Sequence, residues 1–230
     1  MTRDLKQYIQ KAFNNDLDFD STKTAFSMIM DGDTNDIQIS SFLTVLQKSG
    51  IKPHHILGAL DIMKSKMVKI KCPVNSMDTC GTGGDGKNSL NISTAVAFVL
   101  ASKGIPIAKH GNRALTSKCG SADVLKSLKI NIDLEVSKLE DCINEVGICF
   151  MFAPNHHPAM KFVGAVRQEI GIRTIFNLLG PLLNPANVSN QLVGVYSKEV
   201  FEIYKQVFID KNTKKNVCLI SGFDGNDEIS

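Results

Sequence analysis

The sequence has no long hydrophobic run, and no apolar segment stands at its start. None of its uninterrupted apolar stretches approaches the ~18 residues that a membrane-spanning helix requires. The first residues, MTRDLKQYIQKAF, scatter charges through an amphipathic pattern and lack the apolar core of a signal peptide. These absences predict a cytoplasmic protein.

The six cysteines lack the spacing of a metal-binding or redox motif. No two of them form a CxxC pair, and no histidines cluster around them, so a zinc site is not expected. The thiols are predicted to be reduced and mostly buried, although Cys80 and Cys119 fall in polar segments where a reactive thiol is the less favoured alternative. The cysteines are Cys72, Cys80, Cys119, Cys142, Cys149 and Cys218.

The chain also lacks a strong charge of one sign. Its 26 Lys and Arg residues and 23 Asp and Glu residues give a net charge of +3, which is too small to predict nucleic-acid binding by itself. Hydrophobic residues make up 43% and charged residues 21% of the chain, as in globular proteins with a sizeable core. A length of 230 residues predicts one large domain or a large and small pair.

Helical patterns occupy residues 1–70. Apolar residues recur there at helical spacing in four short segments, which predicts a helical subdomain. Ser21 or Thr22 is placed to cap the second helix, and Gly32 is placed to end it. Pro53 lies where the first turn of the fourth helix is expected.

Four short apolar segments rich in β-branched residues follow, with helical patterns between them. This alternation is typical of a parallel sheet with helices packed on it, so the predicted fold class is α/β with a mainly parallel central sheet. The stretch from Lys71 to Asn91 is expected to be irregular. The predicted strands are Ile105–Ala108, Ile148–Ala153, Gln191–Tyr196 and Asn216–Ser221.

The stretch DTCGTGGDGKNSLNIS, from Asp78 to Ser93, contains the glycine-rich run GTGGDG. Glycines let a ligand approach the backbone closely, and the run leads into a helical pattern whose N-terminus attracts anions. It is not a Walker A loop, because Asn88 follows Lys87. It is not a dinucleotide fingerprint either, because the glycine spacing differs and no strand is expected directly before it. An anion cradle is therefore favoured over a mobile connector.

Two further polar clusters follow predicted strands. KHGNR, at Lys109–Arg113, lies at the carboxyl end of a strand, where ligands bind in open α/β sheets, although a solvated basic loop is the alternative. His156 and His157 are adjacent and therefore point in different directions, which makes them poor joint metal ligands, and at least one is expected to be structural. Pro158 is placed to open a helix that carries Arg167.

An acidic pair, Asp227 and Glu228, follows the last predicted strand. Paired carboxylates near phosphate-binding loops suit Mg²⁺, a hard cation that prefers oxygen ligands. On position alone, a solvated turn is the favoured alternative.

Seven motifs occur in order along the chain: GTGGD (81–85), NIST (91–94), KHGNR (109–113), GSADVL (120–125), FAPNHHPAM (152–160), RTIFNLLGPLLNP (173–185) and DEIS (227–230). Together they resemble the anthranilate phosphoribosyltransferase family over nearly the whole chain. The resemblance implies an enzyme of tryptophan biosynthesis that joins phosphoribosyl pyrophosphate to the amine of anthranilate and releases pyrophosphate. It also implies Mg²⁺ as cofactor, a homodimer through the helical domain, and a small helical domain with a larger α/β domain.

The resemblance assigns roles to the residues at matching motif positions. Arg167 is expected to hold the anthranilate carboxylate by a two-pronged contact, and no residue is expected to act as a general acid or base. The residues implied for phosphoribosyl pyrophosphate are Gly81, Thr82, Gly83, Gly84, Asp85, Asn91, Ser93, Thr94 and Lys109. Those implied for anthranilate are Gly81, His110, Asn112, Pro154, His157 and Arg167. Those implied for Mg²⁺ are Ser93, Asp227 and Glu228.

The resemblance further implies a helical domain at 1–70, on which helices from about 158–185 pack, and an α/β domain at 71–230. Members of the family are longer, so a chain truncated at its C-terminus is expected, and an inactive, unstable fragment is one competing hypothesis. A pyrimidine nucleoside phosphorylase, which shares this fold, is a second competing hypothesis, and a nucleic-acid-binding relative is a third.

Overall fold

The computed structural model describes residues 4–83, 90–114, 119–211, 215–222 and 227. The chain divides into two compact units. The first unit is Met1–Met67 with His157–Leu183, and the second is Val68–His156 with Asn184–Ser230.

Short helices make up the described part of the first unit, and short helices and strands make up that of the second. The α-helices are α1 Lys6–Phe13, α2 Phe19–Asp31, α3 Asp36–Ser49, α4 Pro53–Ser65, α5 Ile92–Ser102, α6 Ser121–Ser127, α7 Val136–Val146, α8 Ala153–His156, α9 Gly164–Ile170, α10 Phe176–Leu179 and α11 Lys198–Asp210. The strands are β1 Met77–Gly81, β2 Ile107–Gly111, β3 Ile148–Phe152, β4 Asn190–Gly194 and β5 Asn216–Ile220. Two 3₁₀ turns lie at Pro158–Phe162 and Gly180–Leu182.

The first unit is helical, and its core is built around aromatic side chains. The Phe26 ring lies 6.3 Å from the Phe42 ring in an edge-on arrangement and 5.4 Å from the Phe176 ring. All three side chains are buried, so α2, α3 and α10 share one apolar centre. The four helices predicted within residues 1–70 are confirmed as α1 to α4.

The predicted N-cap of α2 is wrong. Asp18, not Ser21 or Thr22, is the cap, and its carboxylate accepts the main-chain N–H of Ser21 at 2.7 Å. A carboxylate satisfies a free N–H and also interacts well with the positive end of the helix, so the helix begins one turn earlier. The predicted stop is confirmed, because Gly32 has a φ of +75°, and a Cβ there would lie 2.5 Å from the Phe162 ring.

The second unit holds a five-stranded parallel sheet in the order β3-β2-β1-β4-β5. Helices pack on both faces of β3, because successive side chains of a strand point to opposite faces. On one face Cys149 and Met151 pack with Ile143 of α7. On the other face Phe152 packs with Leu125 of α6. The α/β class and the four predicted strands are confirmed, with boundaries shifted by up to three residues.

The central strand β1 lies where an irregular segment was expected. Met77–Gly81 runs directly into the glycine-rich loop and occupies the middle of the sheet. The prediction failed because the strand buries Asp78 and Thr79, so it shows neither apolar alternation nor a continuous apolar run.

The segment after Pro158 also differs from the prediction. Pro158 opens a 3₁₀ turn that ends at Phe162, and Arg167 belongs to the separate helix α9. Glycine at position 164 follows this turn and begins the new helix.

All six cysteines are free thiols, and the expectation that most are buried is wrong. Cys149 is buried, Cys119 and Cys218 are exposed, and the others are half-buried. Burial raises the pKa of Cys149 to about 12. Cys80 lies in β1 rather than in a polar loop, and desolvation raises the pKa of its thiol, which argues against a reactive thiol there.

Among the described residues, no helix is both long and apolar enough to cross a membrane.

His55 is held as a neutral imidazole in the first unit. Its Nδ1 accepts the main-chain N–H of Lys52 at 3.0 Å, so its Nε2 carries the proton that is donated to the Leu17 carbonyl at 2.9 Å. Burial, followed by the neighbouring charge of His54, lowers the pKa of His55 to about 4.

We expect His55 to make the chain less stable as the pH falls. The folded-state pKa lies below the ordinary value of about 6.5, so the unfolded state takes up the proton first and stability is lost from about pH 6.5 towards pH 4. Thermal unfolding across this pH range should show a smaller fall in midpoint for His55→Gln than for the unaltered chain. His54→Gln, at a half-buried neighbour, is the control, and an equal fall in all three proteins would contradict the assignment.

Candidate functional site

The carboxyl end of β1 and the two residues after it, Thr82 and Gly83, form a close-packed backbone turn. The Thr82 N–H donates to the Gly194 carbonyl at 2.9 Å, which continues the contact between β1 and β4 beyond the last residue of β1. Gly83 has a φ of +61°, which favours glycine. Gly84 and Asp85, also predicted for this site, lie outside the described residues.

Asp227 is brought to this turn from far along the chain. Its Oδ2 accepts the Gly83 N–H at 3.1 Å. A Cβ on Gly81 would lie 2.6 Å from the same oxygen, and a Cβ on Gly194 would lie 1.8 Å from the Asp227 carbonyl oxygen. Both positions therefore require glycine for Asp227 to approach. Its predicted partner Glu228 lies outside the described residues.

Helix α5 begins beside the same strand end. Asn91 is its N-cap residue, and the first-turn Ser93 carbonyl accepts the Thr79 hydroxyl at 2.7 Å. The free N–H groups of a helix N-terminus attract anions. The Thr94 hydroxyl is buried and has no hydrogen-bond partner among the described residues, so a polar atom is available here for a ligand.

Lys109 is a buried cation at this position. It lies on β2, and its ammonium donates to the Thr79 carbonyl and, at 3.3 Å, to the Ser93 hydroxyl. Burial lowers the pKa of Lys109, and the negative charge of Asp78 opposes that change. The ammonium thus joins β1, β2 and the start of α5 at one point.

Asp78 and Asn184 are two buried residues that the sequence predictions missed. Asp78 accepts the His110 N–H at 3.3 Å and the Asn184 amide at 2.8 Å. The Asn184 amide also donates to the Ala108 carbonyl at 2.9 Å. Burial raises the pKa of Asp78, and the charge of Lys109 opposes that change. Both residues stand inside or beside quoted motifs, but nothing in the sequence indicates that they meet.

The expectation that KHGNR follows a strand is wrong for its first three residues, because Lys109–Gly111 are the last residues of β2 and only Asn112 and Arg113 come after it. The alternative of a solvated basic loop is also wrong for Lys109, which is buried. A Cβ on Gly111 would lie 2.3 Å from the Ser121 hydroxyl oxygen, so glycine is required for the chain to pass. The Asp123 carboxylate accepts the main-chain N–H groups of Ala114 and Gly120. His110 is buried, whereas Asn112 is exposed.

Of the remaining residues predicted for anthranilate, Pro154 belongs to the second unit, whereas His157 and Arg167 belong to the first. Pro154 is exposed in α8 of the second unit. His157 is buried at the start of the 3₁₀ turn of the first unit. Its neighbour His156 is the structural histidine, because its Nδ1 contacts the Val68 carbonyl at 2.8 Å, and burial lowers its pKa.

Arg167 is a half-buried cation in the first unit. Its guanidinium carbon lies 5.3 Å from the centre of the Phe176 ring, and burial lowers its pKa. Within the described ranges no carboxylate or hydrogen-bond acceptor pairs with this guanidinium. A partly desolvated arginine of this kind has its planar donors available for an anion.

The described residues contain no group of three or more His, Cys, Asp or Glu side chains that can hold a metal ion. The carboxylate of Asp227 and the hydroxyl of Ser93 remain as oxygen donors near the end of β1.

Two family models match the chain. Residues 5–67 match the helical bundle domain of a glycosyl transferase family, and residues 74–230 match its a/b domain. An anthranilate phosphoribosyltransferase of Bradyrhizobium sp. (strain BTAi1) is 46% identical over 228 residues, which cover 99% of this chain and 67% of the relative. The chain belongs to the anthranilate phosphoribosyltransferase family. It is thereby placed among the glycosyl transferases.

Solved structures of family members agree. Anthranilate phosphoribosyltransferase from Saccharomyces cerevisiae in complex with PRPP and Mg superposes with a TM-score of 0.91 at 31% identity, over 98% of this chain and 68% of that one. The enzyme from Thermus thermophilus gives a TM-score of 0.82 at 35% identity, over 88% of this chain and 62% of that one. The present chain therefore spans about two thirds of the length of these relatives.

Proposed function

We propose that the chain is an anthranilate phosphoribosyltransferase, which transfers the phosphoribosyl group of phosphoribosyl pyrophosphate to the amine of anthranilate. The observation that carries the proposal is the convergence, at the carboxyl end of β1, of the Lys109 ammonium, the start of α5 and Asp227. Family membership supports it, and the yeast relative was solved with PRPP and Mg.

The second unit would bind the pyrophosphate and sugar phosphate. Main-chain N–H groups of the glycine turn and of the α5 N-terminus are suited to phosphate oxygens. The Thr94 hydroxyl and the Lys109 ammonium add a donor and a positive charge. The proposed set is Gly81, Thr82, Gly83, Gly84, Asp85, Asn91, Ser93, Thr94 and Lys109.

Ser93, Asp227 and Glu228 are the proposed Mg²⁺ ligands. The fit rests on the donor chemistry, since Asp227 and Ser93 offer oxygens near the same strand end. Mg²⁺ is usually bound through one or two carboxylates together with substrate phosphates, so the described residues need not form a complete cage. When bound, Mg²⁺ would neutralise charge on the leaving pyrophosphate.

Arg167 is proposed to bind the anthranilate carboxylate through paired charged hydrogen bonds. Its desolvated guanidinium and its lack of an acidic partner among the described residues support this role. Gly81, His110, Asn112, Pro154 and His157 are the other residues proposed to contact anthranilate.

In the reaction, the bond from ribose C1 to the pyrophosphate oxygen breaks, a C1–N bond forms, and the nitrogen loses one proton. Positive charge develops on the sugar as pyrophosphate leaves with the bonding electrons. An aromatic amine is weakly basic and nucleophilic without prior deprotonation, so no general base is assigned. Catalysis would come from holding the amine in line and from stabilising the departing charge.

The chain is also proposed to divide into a helical domain at 1–70, on which helices from about 158–185 pack, and an α/β domain at 71–230. A homodimer formed through the helical domain is proposed as well. Sedimentation of the chain at several concentrations would test this association.

Anthranilate fluorescence tests the activity directly. The fluorescence is expected to fall only when the chain, phosphoribosyl pyrophosphate and Mg²⁺ are all present, because the amine is consumed only in the complete reaction. Thymidine with phosphate is the control substrate pair. Turnover of thymidine without turnover of anthranilate would contradict the proposal and indicate a nucleoside phosphorylase.

Gly194→Ala tests the position of Asp227. The added Cβ would lie 1.8 Å from the Asp227 carbonyl oxygen, so the carboxylate must move away from Gly83. The Mg²⁺ concentration for half-maximal activity is expected to rise by about tenfold, as for other changes that disturb a metal ligand. Gly164→Ala is the matched control, since no atom lies within 4 Å of its added Cβ. An unchanged Mg²⁺ requirement in Gly194→Ala would argue against Asp227 as a ligand.

Arg167→Ala tests the carboxylate contact. The KM for anthranilate is expected to rise by about tenfold or more, because a charged hydrogen-bonding partner is lost, while the KM for phosphoribosyl pyrophosphate changes little. Lys161→Ala is the control, because Lys161 is also a cation next to an aromatic ring in the first unit, 4.9 Å from Phe162. Equal anthranilate KM values in the two variants would refute the role of Arg167.

A further inference from the structure

The two neighbours of β1 are paired with it in different ways. β1 and β4 are in register along all five residues, from Met77 opposite Asn190 to Gly81 opposite Gly194. β1 and β2 are paired in register only where Met77 lies opposite Ile107, at the start of β1. The seam between β1 and β2 therefore departs from a regular ladder towards the end where the proposed site lies.

Side chains satisfy the main-chain groups of this seam. The Ala108 carbonyl accepts the Asn184 amide, and the His110 N–H is accepted by the Asp78 carboxylate. On the other strand, the Thr79 carbonyl accepts the Lys109 ammonium. In a regular parallel pair, main-chain groups such as these bond across the two strands.

Asp78, Asn184 and Lys109, with their hydrogen bonds to the two strands, form a buried polar bridge between β1 and β2. Burying these polar groups costs free energy unless each of them is hydrogen-bonded. Asp78, Asn184 and Lys109 are all buried, and an unpaired polar group in this position would lose the hydrogen bonds of water. Asn184 holds the bridge together because its amide donates both to Asp78 and to Ala108, while its Oδ1 accepts the Ala186 N–H at 2.9 Å.

We propose that Asp78 and Asn184 are positioning residues for Lys109. They hold the end of β2 at the distance from β1 that lets the Lys109 ammonium reach both Thr79 and Ser93. Neither residue is assigned a contact with substrate. The inference rests on the proposed function, in which Lys109 binds the phosphates of phosphoribosyl pyrophosphate.

The bridge predicts which substrate binds more weakly when Asn184 is replaced. If Asn184 is removed, Asp78 and the Ala108 carbonyl each lose a donor, and the end of β2 is free to shift. The change should reach the ligand through Lys109. Binding of phosphoribosyl pyrophosphate should therefore weaken, whereas the anthranilate contact of Arg167, in the first unit, should not change.

Asn184→Ala, Lys109→Gln and the double variant form the test. Asn184→Ala is expected to raise the KM for phosphoribosyl pyrophosphate by about tenfold, with a similar loss in direct calorimetric binding of phosphoribosyl pyrophosphate with Mg²⁺. The KM for anthranilate is expected to rise by a clearly smaller factor, because His110 at the end of β2 can shift while the carboxylate contact of Arg167 is kept. In the Lys109→Gln background, Asn184→Ala is expected to have less than a twofold further effect, because its action passes through Lys109. Asn190→Ala is the matched control, since this amide bonds a main-chain carbonyl, that of Asn75, at the opposite end of the sheet.

Additive effects of Asn184→Ala and Lys109→Gln, or equal rises in both KM values, would overturn the proposal in favour of a general structural role. Calorimetry separates this outcome from failure of the proposed function, because an unaltered chain that binds no phosphoribosyl pyrophosphate would overturn the proposed function itself. If Asn184→Ala does not fold, hydrogen exchange on the unaltered chain decides. The His110 N–H should be protected with and without ligand, and exchange at the rate of an open amide would sink the proposal.

Discussion

The candidate site depends on one buried cation. An ammonium group without solvent is stable only when hydrogen-bond acceptors and a nearby negative charge replace the water it has lost. Lys109 has these in the Thr79 carbonyl, the Ser93 hydroxyl and the charge of Asp78. Because these groups come from β1 and α5 while Lys109 lies on β2, satisfying the ammonium also fixes the strand ends and the helix start relative to one another.

Glycines, which have no side chain, are as important to the site as the charged residues. Gly81 and Gly194 leave room for Asp227, whose carboxylate then reaches the Gly83 N–H. Gly111 leaves room for the Ser121 hydroxyl at the next strand end. The carboxyl ends of the strands can thus hold charged groups close to backbone N–H groups. This arrangement suits a ligand with several anionic oxygens and a divalent cation.

The sequence predictions succeeded where a local pattern has one structural meaning and failed where polar residues are buried. The helices within residues 1–70 and four of the strands follow from apolar spacing and are confirmed. Strand β1 was missed because Asp78 and Thr79 interrupt the apolar pattern at its centre. The α2 cap was misplaced by three residues because the Asp18 carboxylate accepts the N–H of Ser21 and thereby starts the helix before either predicted cap.

The sequence by itself determined the family through the order of its motifs, the α/β class through the alternation of strand and helix patterns, and the residue types available for phosphate and metal. Each of those depends on which residues are present and in what order. Only the tertiary structure decided that Asp78 and Asn184, 106 positions apart, share one hydrogen bond. It also decided that these two side chains hydrogen-bond main-chain groups of β2 on the side that faces β1, beside Lys109. It also decided that Asp227 lies against Gly81 and Gly194. These outcomes depend on how strands pack side by side, and a single sequence does not encode those distances in any local pattern.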